Sequence, residues 1–247
     1  MSWLITPQEK TPLDQDYRNV SLLLHGNGAN GSTTITDSSP TPKAATLVGD
    51  VQISTAQSKF GGSSIVFDKV ADRITYAASS DFAFGTGDFT IEAWVYSRDT
   101  SIAARGWFQV STTTGGLQPG YNSGIAIFQG NNKNAGSAAN GICVAIDGNN
   151  FFGSEVGAAV LAENQWQHIA VTRFGSTCRV FVNGTEIGSR TSSANLTATN
   201  LVVGGYYDTP YLFDGYIDDL RITKGVARYT ANFTPPAAPF PDAGPAQ

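Results

Sequence analysis

The stretch Thr177-Cys178-Arg179-Val180-Phe181-Val182-Asn183-Gly184 decides the fold class. Read as an extended strand, it places Cys178, Val180 and Val182 on one face and Arg179, Phe181 and Asn183 on the other. The Asn-Gly pair that ends it tolerates positive φ at both positions and is a strong hairpin signal between strand-like runs. Runs of the same kind recur on both sides. They are Val20–His25, Val51–Thr55, Ser63–Asp68, Arg73–Ala77, Phe89–Ser97, Gly106–Ser111, Gly124–Gln129, Gly141–Asp147, Gln165–Phe174, Leu201–Gly205 and Tyr216–Thr223. Turn signals separate them, among them Phe60-Gly61-Gly62-Ser63, Gly85-Thr86-Gly87-Asp88 and Asp147-Gly148-Asn149. No window keeps a helical period over ten residues, and only a single turn is predicted, at Gly225–Tyr229. Many short strands with almost no helix predict an all-β sandwich forming one domain.

Composition bounds the rest. The chain has 247 residues, of which 41% are hydrophobic and 14% charged, enough apolar side chain for a sizeable core. A net charge of −5 argues against nucleic-acid binding, which needs a basic footprint. No apolar run reaches the roughly 18–20 residues of a membrane span. The first ten residues lack a basic, then apolar, secretion signal, so none is expected. Cys143 and Cys178 sit in strand-like runs and read as small buried hydrophobes, a single inter-strand disulfide being the alternative. Residues 1–18 read as an arm and 19–233 as the sandwich domain. The Pro-rich tail 234–247 cannot pair in a sheet and is expected to be extended or disordered. Residues 98–140 include two stretches of flexible-loop composition, Thr112–Gly116 and Gly130–Asn140.

Motifs for chemistry are sparse. Gly26-Asn27-Gly28-Ala29-Asn30-Gly31 has dinucleotide-loop spacing, but β-branched residues and prolines follow where a helix would be required. A glycosidase needs two carboxyls facing one cleft. Glu92 stands alone on its strand, and the adjacent Asp218 and Asp219 would point to opposite faces. His25 and His168, the two histidines, lie within apolar strands and read as structural. The expectation is a non-enzyme, with a polysaccharide hydrolase built on Glu92 as an alternative. Tyr206, Tyr207 and Tyr211 surround Asp208 in a turn, a combination that a sugar site uses, although rings that cover a loop or sit in a protein interface are the commoner case.

Several segments carry a family likeness. Ser21–His25 leading to Thr36-Asp37-Ser38-Ser39, Lys59–Ser63, Asp88–Val95, Trp166–Arg173, Val180–Gly184 and Gly215–Ile222 together resemble the concanavalin A-like, laminin-G-like jelly-roll family. That resemblance implies a two-sheet antiparallel jelly roll with Trp94, Val95, Ile169, Val171, Val180, Val182, Leu220 and Ile222 in its core and central strands. The ending Ile222–Pro236 is similar to versions of this domain in structural proteins of tailed bacteriophages. It implies a virion surface protein, capsid decoration or tail-associated, located in the virion and docked to other virion proteins through its arm and long loops. Homo-oligomerisation is compatible with such a lattice. The alternative is a lectin that binds a host surface glycan through Tyr206, Tyr207, Asp208 and Tyr211. The resemblance also implies one structural calcium ion between the loop after the first strand and the last strand, at Asn27, Asp37 and Asp218. Parity places Asp218 on the inward face with Leu220 and Ile222. Gly26-Asn27 departs from the family's usual Phe-Asp or Met-Asp, which removes one carboxylate ligand, and Asp37 has a competing role capping its own turn.

Overall fold

The computed structural model describes residues 13–100, 106–112, 123–129, 141–147, 150–153 (backbone), 161–205 and 212–245. Its strands in chain order are β1 (Val20–Leu24), β2 (Ala45–Val48), β3 (Gln52–Ser54), β4 (Ser64–Asp68), β5 (Arg73–Tyr76), β6 (Phe89–Ser97), β7 (Gly106–Ser111), β8 (Ile125–Gln129), β9 (Ile142–Ile146), β10 (Asn150–Gly153), β11 (Trp166–Phe174), β12 (Thr177–Val182), β13 (Thr185–Thr191), β14 (Asn200–Val203) and β15 (Asp214–Lys224). They form two antiparallel sheets. The larger runs β13-β12-β11-β6-β15-β4-β3 with β1 also on β15, and the smaller runs β10-β9-β8-β7-β14-β5-β2. This is the all-β sandwich the alternation predicts.

The core lies between the sheets. Leu22, Leu24, Ile91, Val95, Ile169, Val171, Val180, Leu220 and Ile222 of the larger sheet meet Ile74, Phe108, Ile127, Val144 and Leu201 of the smaller. The β12–β13 hairpin turns on Asn183 (φ 49°) and Gly184 (φ 77°), the positive pair that a tight right-twisted hairpin requires. Both cysteines are reduced and buried, Cys178 in the main core and Cys143 in a separate cluster with Ala126, Phe128 and Ala145. β2, β10 and β13 are strands without a sequence prediction. β13 carries Gly188 and mostly exposed residues, so no apolar alternation announces it. The turn predicted at Gly225–Tyr229 is not helical. The short 3-10 turns among the described residues are Tyr17–Asn19 and Ser80–Phe82, the second capped by the Ser79 hydroxyl.

β15 organises the larger sheet. One edge pairs with β6 along its length, while the other pairs with β4 through Asp214–Ile217 and with β1 through Leu220–Thr223. The changeover coincides with a bulge between Asp218 and Arg221, where Asp219 takes φ 51°. The outer face of the larger sheet is covered in turn. Residues 226–245 cross it, and Asp14 N–H donates to Ala243 O (2.9 Å). Phe240 is buried there against Val20 and Leu23.

Candidate functional site

The bulge brings two carboxylates to one seam. Asp219 Oδ1 lies 2.6 Å from His25 Nδ1, and its Oδ2 accepts from Phe240 N–H at 2.7 Å. Asp218 Oδ2 accepts from the backbone N–H of Lys59 (2.8 Å) and Phe60 (3.0 Å), while Oδ1 is buried with no partner. The parity argument fails here. Ile217 and Leu220 both belong to the inter-sheet core, so the extra residue between them puts Asp218 opposite Trp94 on the outward side. Burial, opposed by the backbone N–H groups of Phe60, Lys59 and Asp219 and reinforced by the Asp219 charge, pushes the Asp218 carboxyl up to about 7. For His25 burial disfavours the cation, but the hydrogen bond and charge of Asp219 outweigh it and raise its pKa.

Of the three residues expected to hold calcium, Asp37 is turned to its own loop. Asp37 Oδ1 accepts from Leu23 N–H (3.0 Å) and Ser39 N–H (2.9 Å), and Oδ2 from the Ser39 hydroxyl (3.0 Å) and Lys43 N–H (2.8 Å). Those four donors use its lone pairs, so Asp37 clasps its own turn to β1. Asn27 is exposed, its amide beside Gly61. Of the set, only Asp218 Oδ1 offers a bare buried oxygen, against the six to eight that calcium takes. A second acidic group, Asp50, Asp68 and Asp72, has carboxylate oxygens within 4.8 Å of one another. Asp72 accepts there from the N–H of Asp50 and Asp68 and shapes the turn before β5.

Glu92 is equally committed. It is 1% exposed, and Oε1 accepts from Arg221 Nη2 (2.7 Å) and Nε (3.0 Å). The Tyr229 hydroxyl donates to Oε2 at 2.8 Å, and His168 Nε2 lies 3.3 Å from it. Arg221 also reaches Asp14 (3.1 Å), which takes both terminal nitrogens of Arg228. Burial opposes the Glu92 charge, but Arg221 and the His168 contact hold its pKa down at about 2. A carboxyl held ionised and out of solvent has no proton to give a leaving group.

Further along the same outward face lies a feature the sequence reading passed over. Strand register aligns Gln52, Val66, Tyr216, Tyr96 and Trp166 across five strands. Ring centroids are 5.6 Å apart for Tyr216–Tyr96 and 5.5 Å for Tyr96–Trp166, each pair edge-to-face. Tyr96 and Trp166 are partly exposed, as are Val66 and Gln52. In the adjacent row Trp94 packs against Phe60 (6.0 Å) and His168 (5.3 Å), with Lys59 Nζ 3.7 Å from its ring centroid. Arg98 stands 5.4 Å from the Tyr216 ring. The signal was available: Tyr96 shares period-two parity with Glu92 and Trp94, an outward aromatic run on a central strand. Tyr206, Tyr207, Asp208 and Tyr211, the sugar-site candidates from sequence, lie outside the described residues, as do arm residues 1–12.

A two-sheet antiparallel sandwich with an aromatic strip on an outward sheet face is a binding scaffold in form. The chain belongs to the Concanavalin A-like lectin/glucanases superfamily, whose sequence pattern matches residues 72–228. No curated protein matches it significantly. Among solved structures it is similar to domain 4 of AbnA, a GH43 extracellular arabinanase from Geobacillus stearothermophilus, in complex with arabinotriose. The TM-score is 0.59, at 18% identity over 84% of this chain and 93% of that one. It is also similar to the botulinum neurotoxin serotype D binding domain, with TM-score 0.59 and 12% identity over 87% and 50% of the two chains. The binding domain of botulinum neurotoxin DC in complex with SialylT gives TM-score 0.56 and 13% identity over 85% and 49%. These identities establish a common fold, and the chain spans about half the length of the neurotoxin domains.

Proposed function

We propose that this chain is a non-enzymatic recognition module on the surface of a tailed-bacteriophage particle, and that it binds a host surface glycan on its outward aromatic row. The observation that carries the reading is the Tyr216–Tyr96–Trp166 row, three rings fixed across adjacent strands with two of them partly exposed. Rigid aromatic faces beside amide and guanidinium donors suit the apolar faces and hydroxyl edges of sugars. Two structural relatives are complexes with arabinotriose and with SialylT, which favours a sugar over other small ligands. The phage setting rests on the likeness of Ile222–Pro236 to domains of virion proteins. The non-enzymatic part rests on Glu92, whose oxygens are taken by Arg221 and Tyr229. Attachment to capsid or tail would use the arm, whose folded end at Asp14 and Tyr17 is fixed to the domain.

The test is a glycan array with the full chain and with Trp166→Ala and Tyr96→Ala. Hits that both substitutions abolish, in variants that melt like the parent, support the reading. An array without hits, or hits indifferent to both, overturns the glycan part. Binding of labelled protein to purified phage heads or tails tests the setting, and binding to neither overturns it.

A further inference from the structure

We infer that the glycan bound on the aromatic row is acidic, and that Lys59 receives its carboxylate. The inference rests on the glycan reading above and concerns which sugars the row prefers. The other described lysines each have an acceptor: Lys43 pairs with Asp81 (2.9 Å), Lys69 with Asp214 (2.8 Å), and Lys224 donates to Ser80 O (2.8 Å). The Lys59 ammonium has no carboxylate or carbonyl in reach among the described residues. It sits instead on the Trp94 ring, 3.7 Å from the centroid, and 5.6 Å from that of Phe60. The nearest acid in sequence contact, Asp218, spends its Oδ2 on the backbone N–H of Lys59 rather than on its side chain.

This placement is unusual for a surface lysine, whose stem is ordinarily free to sample many rotamers. An indole beneath the ammonium holds it in one position while leaving its outward donors unused. A fixed, unpaired cation beside apolar rings is arranged to accept an anion with little ordering cost. The geometry also fits the size of a sugar. Trp94 and Tyr96 are two residues apart on one strand face, about 7 Å by the strand rise. A ring lying over Tyr96 and Trp166 can therefore direct an exocyclic carboxylate toward Lys59. Arg98, at the far side of the row, already donates to Asp214 (2.7 Å) and to Phe67 O (2.7 Å), so Lys59 is the cation with donors to spare. Because the whole chain carries −5, anion binding has to arise from this local arrangement rather than from a general positive field.

The experiment is calorimetric titration of the full chain with sialyllactose and lactose, and with a galacturonate oligosaccharide and its methyl ester. The acidic member of each pair is expected to bind about tenfold tighter, the value of one charged hydrogen bond. Lys59→Gln should bring that ratio close to one, and Lys59→Arg should restore most of it. The advantage should shrink on raising salt from 50 to about 500 mM. Equal binding of acidic and neutral members, or a ratio that Lys59→Gln leaves unchanged, overturns the inference while the glycan reading stands. Binding of none of the four, with an empty array, removes both.

Discussion

At the scale of single residues, the buried charges at positions 14, 92, 218, 219 and 221 decide how the protein responds to mutation and pH. Glu92 and Arg221 lie in the sheet's outer layer with almost no solvent, so each depends on the other for compensation. Arg221→Met should cost about 3–5 kcal/mol, because it strands Glu92 and one side of Asp14; guanidinium unfolding with an unchanged slope would measure it. The signs of the pH terms follow from the directions of shift. Glu92, held at about 2, adds stability above its ordinary carboxylate range that is lost as pH falls toward 2. His25, raised by Asp219, adds stability that is complete below its ordinary value and lost as pH rises through the higher folded value. Asp218, pushed up to about 7, binds its proton more tightly folded than unfolded, so its term also declines as pH climbs from about 4 to 7. The melting midpoint should therefore fall as pH climbs from about 5 to 8, and Asp218→Asn, an isostere of the protonated acid, should flatten the part of that fall below about pH 7. A proton suffices for Asp218 Oδ1 in this account, so EDTA and millimolar calcium should leave the midpoint of the parent unchanged. A calcium-dependent rise that Asp218→Asn abolishes would instead put a cation at that oxygen.

At the scale of elements, the strands were legible where burial imposes alternation and illegible where it does not. The run 178–183 shows its two faces in the sequence because Val180 and Val182 enter the inter-sheet core while Phe181 lies under Tyr229 and Phe233. The β15 bulge has no such signature. It arises where the strand's neighbour changes from β4 to β1, a fact about two other segments, and it inverts the parity of Asp218. The outward aromatic row was missed for a related reason: Trp166, Tyr96 and Tyr216 lie far apart in sequence and become one surface through register alone. The Pro-rich end illustrates a different limit. Its composition forbids sheet pairing, but not packing, and Phe240 is 4% exposed with the Arg221 guanidinium 3.8 Å from its ring centroid. Phe240→Ala should cost about 3–5 kcal/mol, as for a fully buried aromatic. Proteolysis should then enter the 226–245 segment before the sandwich. A variant that melts within a degree of the parent would mean that this segment covers the sheet without stabilising it.

At the scale of the whole molecule, the order of strands makes the fold depend on its last segment. β15 is the last described strand of the chain, yet it sits inside the larger sheet, bonded to β6 on one edge and to β4 and β1 on the other. Without it, β1 loses its strand partner, and β4 and β6 each face a gap where Ile217, Leu220 and Ile222 fill the core. Pairing of such distant segments closes long loops before any contact rewards it, which places folding in the slow range of topologies. Two truncations separate this dependence from that of the covering segment. A chain ending at residue 225 retains every described strand and loses only the cover, so it should keep a β-type circular dichroism spectrum with a lowered midpoint. A chain ending at residue 213 lacks β15 and should show no cooperative melting, even though more than four-fifths of the sequence is present. If the shorter chain melts cooperatively, the smaller sheet is a folding unit by itself, and the central position of β15 is not what holds the two sheets together.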